Sequence, residues 1–402
     1  MAFNPLAAEW AADTQAVRGG LDRTGFFETS EAIFTNSGFV YDSAEAAERA
    51  FTGEDERFVY SRYGNPTVAT FQERLRLLEG TEACFATASG MSAVFVALGA
   101  LLAAGDRVVA SRSLFGSCFV ILNEILPRWG VETVFVDGPD LAQWREALSA
   151  PTTAVFFESP SNPMQEIVDI RAVCDLAHAA GATVVADNVF ATPLLQRCTE
   201  LGADVVVYSG TKHIDGQGRV MGGAILGSKE FIDGPVKQLM RHTGPSLSSF
   251  NAWVLTKGLE TLALRVNHSS ASALALAEFL EQQPEVEWVK YPLLKSHPQY
   301  ELAAAQMSAG GTVLTFALRA TGAGGGKAEA FSLLNALKVI DISNNLGDSK
   351  SLITHPATTT HRAMGPEGRA AIGLGDGVVR LSVGLEDLED LRGDLAQALA
   401  AR

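Results

Sequence analysis

From about residue 66 the chain alternates short apolar runs with helix-length amphipathic stretches. Pro66 opens a helix over TVATFQERLRLLEG, and Gly80 closes it. Seven apolar runs then read as strands: ACFAT, RVVAS, VETVFVD, TTAVFFES, TVVADN, DVVVYSG and MGGAILG. Helical patterns separate most of them, among them SGMSAVFVALGALLAAG, FGSCFVILNEILPRWG and IRAVCDLAHAAG. Continuous apolar runs between helices predict strands buried on both faces, so a mostly parallel seven-stranded sheet in an α/β domain. The pattern predicts one long amphipathic helix over about 247–280. The last third offers WVKYP, GTVLTFAL and VVRLSVG as strands, with helices near 327–337 and 386–400. That order predicts a smaller C-terminal α+β domain. Residues 1–60 are polar and irregular, with scattered aromatics, and read as an arm that packs on something else. The expected division is therefore an arm over 1–60, a large domain over 61–258 and a small domain over 259–402. TGAGGGK at 321–327 reads as a surface turn, because Thr321 and Ala328 break the spacing of a phosphate-binding P-loop.

Composition narrows the function. Of 402 residues, 47% are hydrophobic and 19% charged, a globular balance. Lys plus Arg number 31 and Asp plus Glu 46, giving a net charge of −15. A general nucleic-acid binder needs a basic excess to neutralise phosphates, and this chain has none. Cys84, Cys118, Cys174 and Cys198 form no C-x-x-C and are too sparse for a disulfide framework. Glu9 and Asp13 stand where a signal peptide would be apolar, and no apolar run is long enough to span a bilayer. A cytoplasmic protein with reduced thiols is expected, with neither nucleic acid nor membrane as a partner. His213, His355 and His361 show no metal-ligand spacing, so no metal site is expected.

The chemistry concentrates at strand ends. DVVVYSGTKHIDG places Ser209, Thr211 and Lys212 just beyond an apolar strand, where α/β sheets bind ligands. TVVADN ends another buried strand with Asp187, 25 residues before Lys212. Ser89-Gly90-Met91 leads directly into a helix, whose first N–H groups suit an anion. Each feature has a plain structural reading: a strand-end lysine, a turn aspartate, an ordinary helix start. One chemistry asks for all of them together. In pyridoxal 5'-phosphate (PLP) enzymes a lysine carries the aldehyde, a buried carboxylate keeps the ring nitrogen protonated, and hydroxyls with a helix N-terminus hold the phosphate.

Seven motifs along the chain extend this: YSRYGNPT (60–67), ATASGMSA (86–93), ESPSNP (158–163), VADNVFATP (185–193), YSGTKHIDGQG (208–218), SLITHPATTTH (351–361) and VRLSVGLED (379–387). With them the sequence resembles the Cys/Met-metabolism family of PLP-dependent enzymes over nearly its whole length. The resemblance implies the type I PLP fold. It makes Lys212 the Schiff-base lysine and proton carrier, and Asp187 the partner of the ring nitrogen. It gives the phosphate to Ser89, Gly90, Met91, Ser209 and Thr211. Tyr60 and Arg62 match a Y-x-R pair that reaches the cofactor of a neighbouring subunit, Tyr60 with a catalytic part. That implies active dimers paired into a homotetramer. Arg380 would clamp the substrate α-carboxylate, and Asn162 would help at the cofactor ring or at that carboxylate.

Two departures from the family pattern bear on the reaction. Phe115 stands where many relatives carry a tyrosine that stacks on the cofactor, so the stacking face remains and the hydroxyl is gone. Asn345 replaces a family serine, and Asn344 replaces a residue that is acidic in some γ-synthases. A neutral Asn344 removes a partner for the amino group of cysteine. The pattern NNLGDSKSLITHP resembles the O-succinylhomoserine sulfhydrylase branch. It implies γ-replacement on O-succinyl-L-homoserine by sulfide, giving L-homocysteine and succinate for methionine biosynthesis. Cystathionine γ-synthesis with cysteine and γ-elimination are the alternatives within the family. A non-catalytic binding protein would lack Lys212 or Asp187. A hydride-transferring enzyme would need a dinucleotide fingerprint, and GQGRVMGG at 216–223 opens no βαβ unit.

Overall fold

The computed structural model describes residues 3–321 and 326–401. The seven apolar runs form β1 (Ala83–Thr87), β2 (Arg107–Ser111), β3 (Glu132–Val136), β4 (Ala154–Glu158), β5 (Thr183–Asp187), β6 (Val205–Ser209) and β7 (Gly223–Gly227). They build one sheet in the order β1-β7-β6-β5-β4-β2-β3. Neighbours from β6 to β3 are parallel. β7 runs antiparallel to both β1 and β6, so one strand of seven is reversed. That reversal brings the start of β7 to the edge where β1 and β6 end: Gly223 pairs with both Thr87 and Ser209.

Side chains of a strand alternate between faces, and β4 shows the result. Val155 and Phe157 enter a core with Phe71, Leu75, Trp144 and Leu255. Ala154 and Phe156 enter the opposite core with Leu98, Leu122, Val207 and Met240. The helix Pro66–Glu79 covers the first face. Asn65 caps it by accepting from the Thr67 N–H, and Gly80 ends it at φ 82°, a conformation that suits a residue without Cβ.

A second sheet follows: β8 (Val286–Lys290), β9 (Val313–Leu318), β10 (Asp341–Ile342), β11 (Leu352–Thr354) and β12 (Val378–Ser382), in the order β10-β11-β12-β9-β8. Leu314, Phe316, Leu381 and Leu395 lie at its core. β10 and β11 were not anticipated from the pattern; two and three residues are too few to show a period.

Three expectations need correction. The long helix over 247–280 is two helices, Ser249–Leu259 and Leu262–Glu281. Gly258 passes so close to the Ile214 carbonyl that a Cβ would stand 2.1 Å from its oxygen. Arg265 turns back to cap the helix end, donating to the Gly258 carbonyl at 2.7 Å. FGSCFVILNEILPRWG changes pitch twice, through a wide turn at Ile121–Ile125 and a tight one at Leu126–Trp129. Pro127 has no N–H to continue the ladder, and the Thr133 hydroxyl takes the Leu122 carbonyl instead. Residues 1–60 contain helices Ala12–Arg18 and Ala44–Thr52. Of the expected turn at 321–327, residues 322–325 lie outside the described residues; Gly326, at φ 91°, leads into the helix Lys327–Ala336. Among the described residues no helix is long and apolar enough to cross a membrane.

Candidate active site

The carboxyl ends of β4, β5 and β6 carry Glu158, Asp187 and Ser209, and they open on a cavity of about 250 Å³. Asp187 accepts from the Val189 N–H at 3.0 Å, so it is a turn aspartate as well as a wall of the cavity. It forms no ion pair among the described residues, and burial pushes its carboxyl above the usual range. Lys212 follows β6 inside a wide turn over Gly210–Ile214, at φ −93° and ψ −124°. Its Nζ donates to Asn345 Oδ1 at 2.6 Å. Burial, with the Arg380 guanidinium adding to it, brings the ammonium down to about 8. Arg265 holds the following backbone from behind, donating to the His213 carbonyl at 2.7 Å.

The helix Gly90–Leu101 begins at the same edge, capped by Ser89 Oγ on the Ser92 N–H at 3.1 Å. The N–H groups of Gly90 and Met91 belong to its first turn and have no partner within the helix. Gly90 sits against Ser209: a Cβ would fall 2.6 Å from the serine Cβ and 2.8 Å from its hydroxyl. Thr211 exchanges hydrogen bonds with Gly222, accepting from its N–H at 3.2 Å. The Ser209 and Thr211 hydroxyls and the first N–H groups of this helix therefore converge at one end of the cavity, the kind of groups that bind a phosphate.

Arg380 faces the cavity from the middle of β12 and is 1% exposed. Nη1 donates to Asn162 Oδ1 at 3.0 Å. Nη2 donates to the carbonyls of Asn344 at 2.9 Å and Asn345 at 3.2 Å. Nε has no partner, and no carboxylate lies within ion-pair distance among the described residues. A buried cation without an anion is costly; burial lowers Arg380 to about 10. Phe115 lines the cavity, its ring edge-on to His361 at 6.4 Å. His361 is held neutral by burial and bonded to Thr360 and the Asn162 carbonyl. His213 is likewise structural, fixed between the Val189 carbonyl and Thr312.

The fold thus gathers Lys212, Asp187, Ser89, Gly90, Met91, Phe115, Ser209, Thr211, Asn162, Asn344 and Arg380 around one cavity, with Asn345 bonded to Lys212. Tyr60 and Arg62 do not line it. Tyr60 is 40% exposed, and the Arg62 guanidinium lies over the rings of Tyr60 and Tyr63 and donates to the Arg241 carbonyl. Glu158 and Cys118 also line the cavity. Glu158 received no role from the sequence, although it ends an apolar strand just as Asp187 does.

Such a site on such a sheet defines an enzyme that carries an aldehyde cofactor on a lysine, and comparison with known proteins gives the family. The family model for Cys/Met metabolism PLP-dependent enzymes matches residues 13–400, and the chain belongs to that family. It is 70% identical over 387 residues to an O-succinylhomoserine sulfhydrylase of Mycobacterium tuberculosis, covering 96% of this chain and 95% of that one. It is 50% identical over 392 residues to the O-succinylhomoserine sulfhydrylase of Pseudomonas aeruginosa, covering 97% and 96%. A solved structure of a putative O-acetylhomoserine (thiol)-lyase from Campylobacter jejuni, which contains a pyridoxyl-lysine phosphate, superposes with a TM-score of 0.92. It is 30% identical and covers 97% of this chain and 100% of that one.

The fold is the type I fold of PLP-dependent enzymes, and the cofactor of the family is PLP. The residues present fit it. Asp187 lacks a cation that a ring N–H would supply. Lys212 is partly neutral near pH 8, as an amine that bonds an aldehyde must be. Gly90 and Gly223 let the helix start and β7 pack against Ser209 and Ser89 at the proposed phosphate end, where a Cβ on Gly223 would stand 2.3 Å from the Ser89 carbonyl oxygen.

Proposed function

We propose that the protein replaces the γ-acyloxy group of O-succinyl-L-homoserine by sulfide, forming L-homocysteine and succinate. The observation that carries this reading is the neutral pair of Asn344 on the cavity wall and Asn345 bonded to Lys212. Asn344 is exposed there, and through their carbonyls the two hold Arg380. A second amino-acid substrate would bring an ammonium group, and Asn344 offers it no charge; sulfide needs none. The two sulfhydrylases named above support the same choice.

In this reading Arg380, braced by Asn162, receives the α-carboxylate of the substrate through its planar fork. PLP, when bound, withdraws electrons from the substrate so that C–H and γ C–O bonds can break. Asp187 holds the ring nitrogen, Phe115 stacks on the ring, and Ser89, Gly90, Met91, Ser209 and Thr211 hold the phosphate. Lys212 takes the Cα proton, carries protons between Cα, Cβ and Cγ, and returns them. Asn345 Oδ1 accepts from the Lys212 Nζ and holds it in place. Succinate leaves with the C–O electron pair, and sulfide supplies the pair for the new C–S bond. Tyr60 and Arg62 act from a neighbouring copy, which makes a dimer the active unit, paired into a homotetramer. Residues 1–60 then serve as the intersubunit arm, 61–258 as the cofactor domain and 259–402 as the small domain. The acidic chain works in the cytoplasm on small molecules.

A competition assay tests the reading. The PLP-loaded protein receives O-succinylhomoserine with equal sulfide and cysteine, and homocysteine, cystathionine and 2-oxobutyrate are followed. Mostly homocysteine is expected. Mostly cystathionine would overturn the argument from Asn344, and keto acid alone would show elimination. Lys212→Ala should lose turnover in every arm.

A further inference from the structure

β4 ends on a carboxylate to which the roles above give no task. Glu158 is 5% exposed, faces the cavity and makes no ion pair among the described residues. Both of its oxygens are committed to backbone. Oε1 accepts from the Phe115 N–H at 2.8 Å, and Oε2 accepts from the Asn162 N–H at 3.2 Å. Phe115 is the N-cap residue of the helix Gly116–Val120 and has no side-chain cap of its own. Asn162 in turn holds Arg380. Across the ladder Glu158 pairs with Asp187, and one ligand atom from each of Glu158, Asp187 and Cys118 lies within 4.8 Å of the others. Burial, then the neighbouring Asp187, pushes the Glu158 carboxyl far above its usual range.

We propose that Glu158 is a positioning residue: one carboxyl group ties the backbone of Phe115, over the cofactor ring, and of Asn162, behind Arg380, to the strand end beside Asp187. The inference rests on the PLP reading above. It predicts that Glu158 acts on the cofactor and on the substrate carboxylate at once, without touching either reacting carbon.

The test uses apoprotein titrated with PLP, the visible circular dichroism of the bound cofactor, and steady-state kinetics. Glu158→Gln preserves volume but offers one acceptor oxygen for two N–H groups. It should weaken PLP binding roughly tenfold, change the visible circular dichroism, and raise KM for the O-acylhomoserine. Glu158→Ala removes both acceptors and should lose more. Should the alanine variant fail to fold, the glutamine variant decides. Wild-type PLP affinity and wild-type dichroism in Glu158→Gln would overturn the proposal. Wild-type apoprotein that takes up no PLP would overturn the cofactor reading itself, a separate result that removes this inference with it.

Discussion

At the scale of the residue, the informative groups are those whose ordinary partners are missing. Asp187, half-buried, and Arg380, buried, are charges of opposite sign, and neither forms an ion pair among the described residues. Each is therefore set for a ligand group of the other charge: a ring N–H for one, a carboxylate for the other. Their positions after or within apolar runs made both visible in the sequence, because a charge in a buried strand needs a reason. The same signal marks Glu158, which also ends an apolar strand. Asn162 was legible only as part of a motif; its bond to Arg380 spans 218 positions. Arg380→Lys should raise KM for the O-acylhomoserine by roughly ten- to a hundredfold, since a charged, two-pronged bond is worth about 1.5–3 kcal/mol. Initial rates against substrate concentration check this, and an unchanged KM would place the α-carboxylate elsewhere.

At the scale of the element, local sequence set most helices and strands, and close packing altered some of them. The break near Glu260 follows from the Gly258–Ile214 approach and from Arg265, neither of which periodicity reports. Another cluster joins the arm to the large sheet. Arg74 is fully buried and donates to Glu31 at 2.6 Å and to the Gly19 carbonyl at 2.8 Å. Lys257 bonds the same Glu31 and Glu260. Burial raises the Glu31 carboxyl, but its bonds from Lys257 and Arg74 outweigh that and hold it below the usual value. A depressed carboxylate stabilises the fold above its unfolded range and loses that contribution as pH falls through its folded value. Arg74→Met should cost about 1.5–3 kcal/mol at pH 7, because Lys257 still pairs with Glu31, and less once Glu31 is protonated. Urea unfolding at neutral and acid pH measures both. Equal losses would show that the carbonyl bonds and packing, not charge, carry the effect.

At the scale of the whole molecule, the expected cofactor and substrate residues line the cavity, except Asn345, which reaches it through Lys212, and Tyr60 and Arg62. Tyr60 bridges to Gly38 of the arm, and Arg62 donates to the Arg241 carbonyl. If Arg62 serves a neighbouring copy, two defective chains can repair each other. Lys212→Ala and Arg62→Ala, each inactive or weak alone, should regain roughly a quarter of wild-type activity after mixing and reassembly. A random dimer population is half mixed, and each mixed dimer has one intact site. Mixed dimers without recovered activity would show that Arg62 serves its own chain.

The sequence by itself determined the sheet, its parallel character, the lysine and aspartate at its edge, and the family. Those rest on local signals: apolar runs, a proline and glycine that bracket a helix, a charge where a strand should be apolar. Only the tertiary structure decided which distant groups meet. It placed Asn345 on Lys212, Asn162 on Arg380, and Glu158 between Phe115 and Asn162. It also divided one amphipathic run into two helices and added two strands too short to carry a period. Contacts of this kind depend on how layers stack and where strands end together, and a linear pattern of polar and apolar positions does not encode those distances.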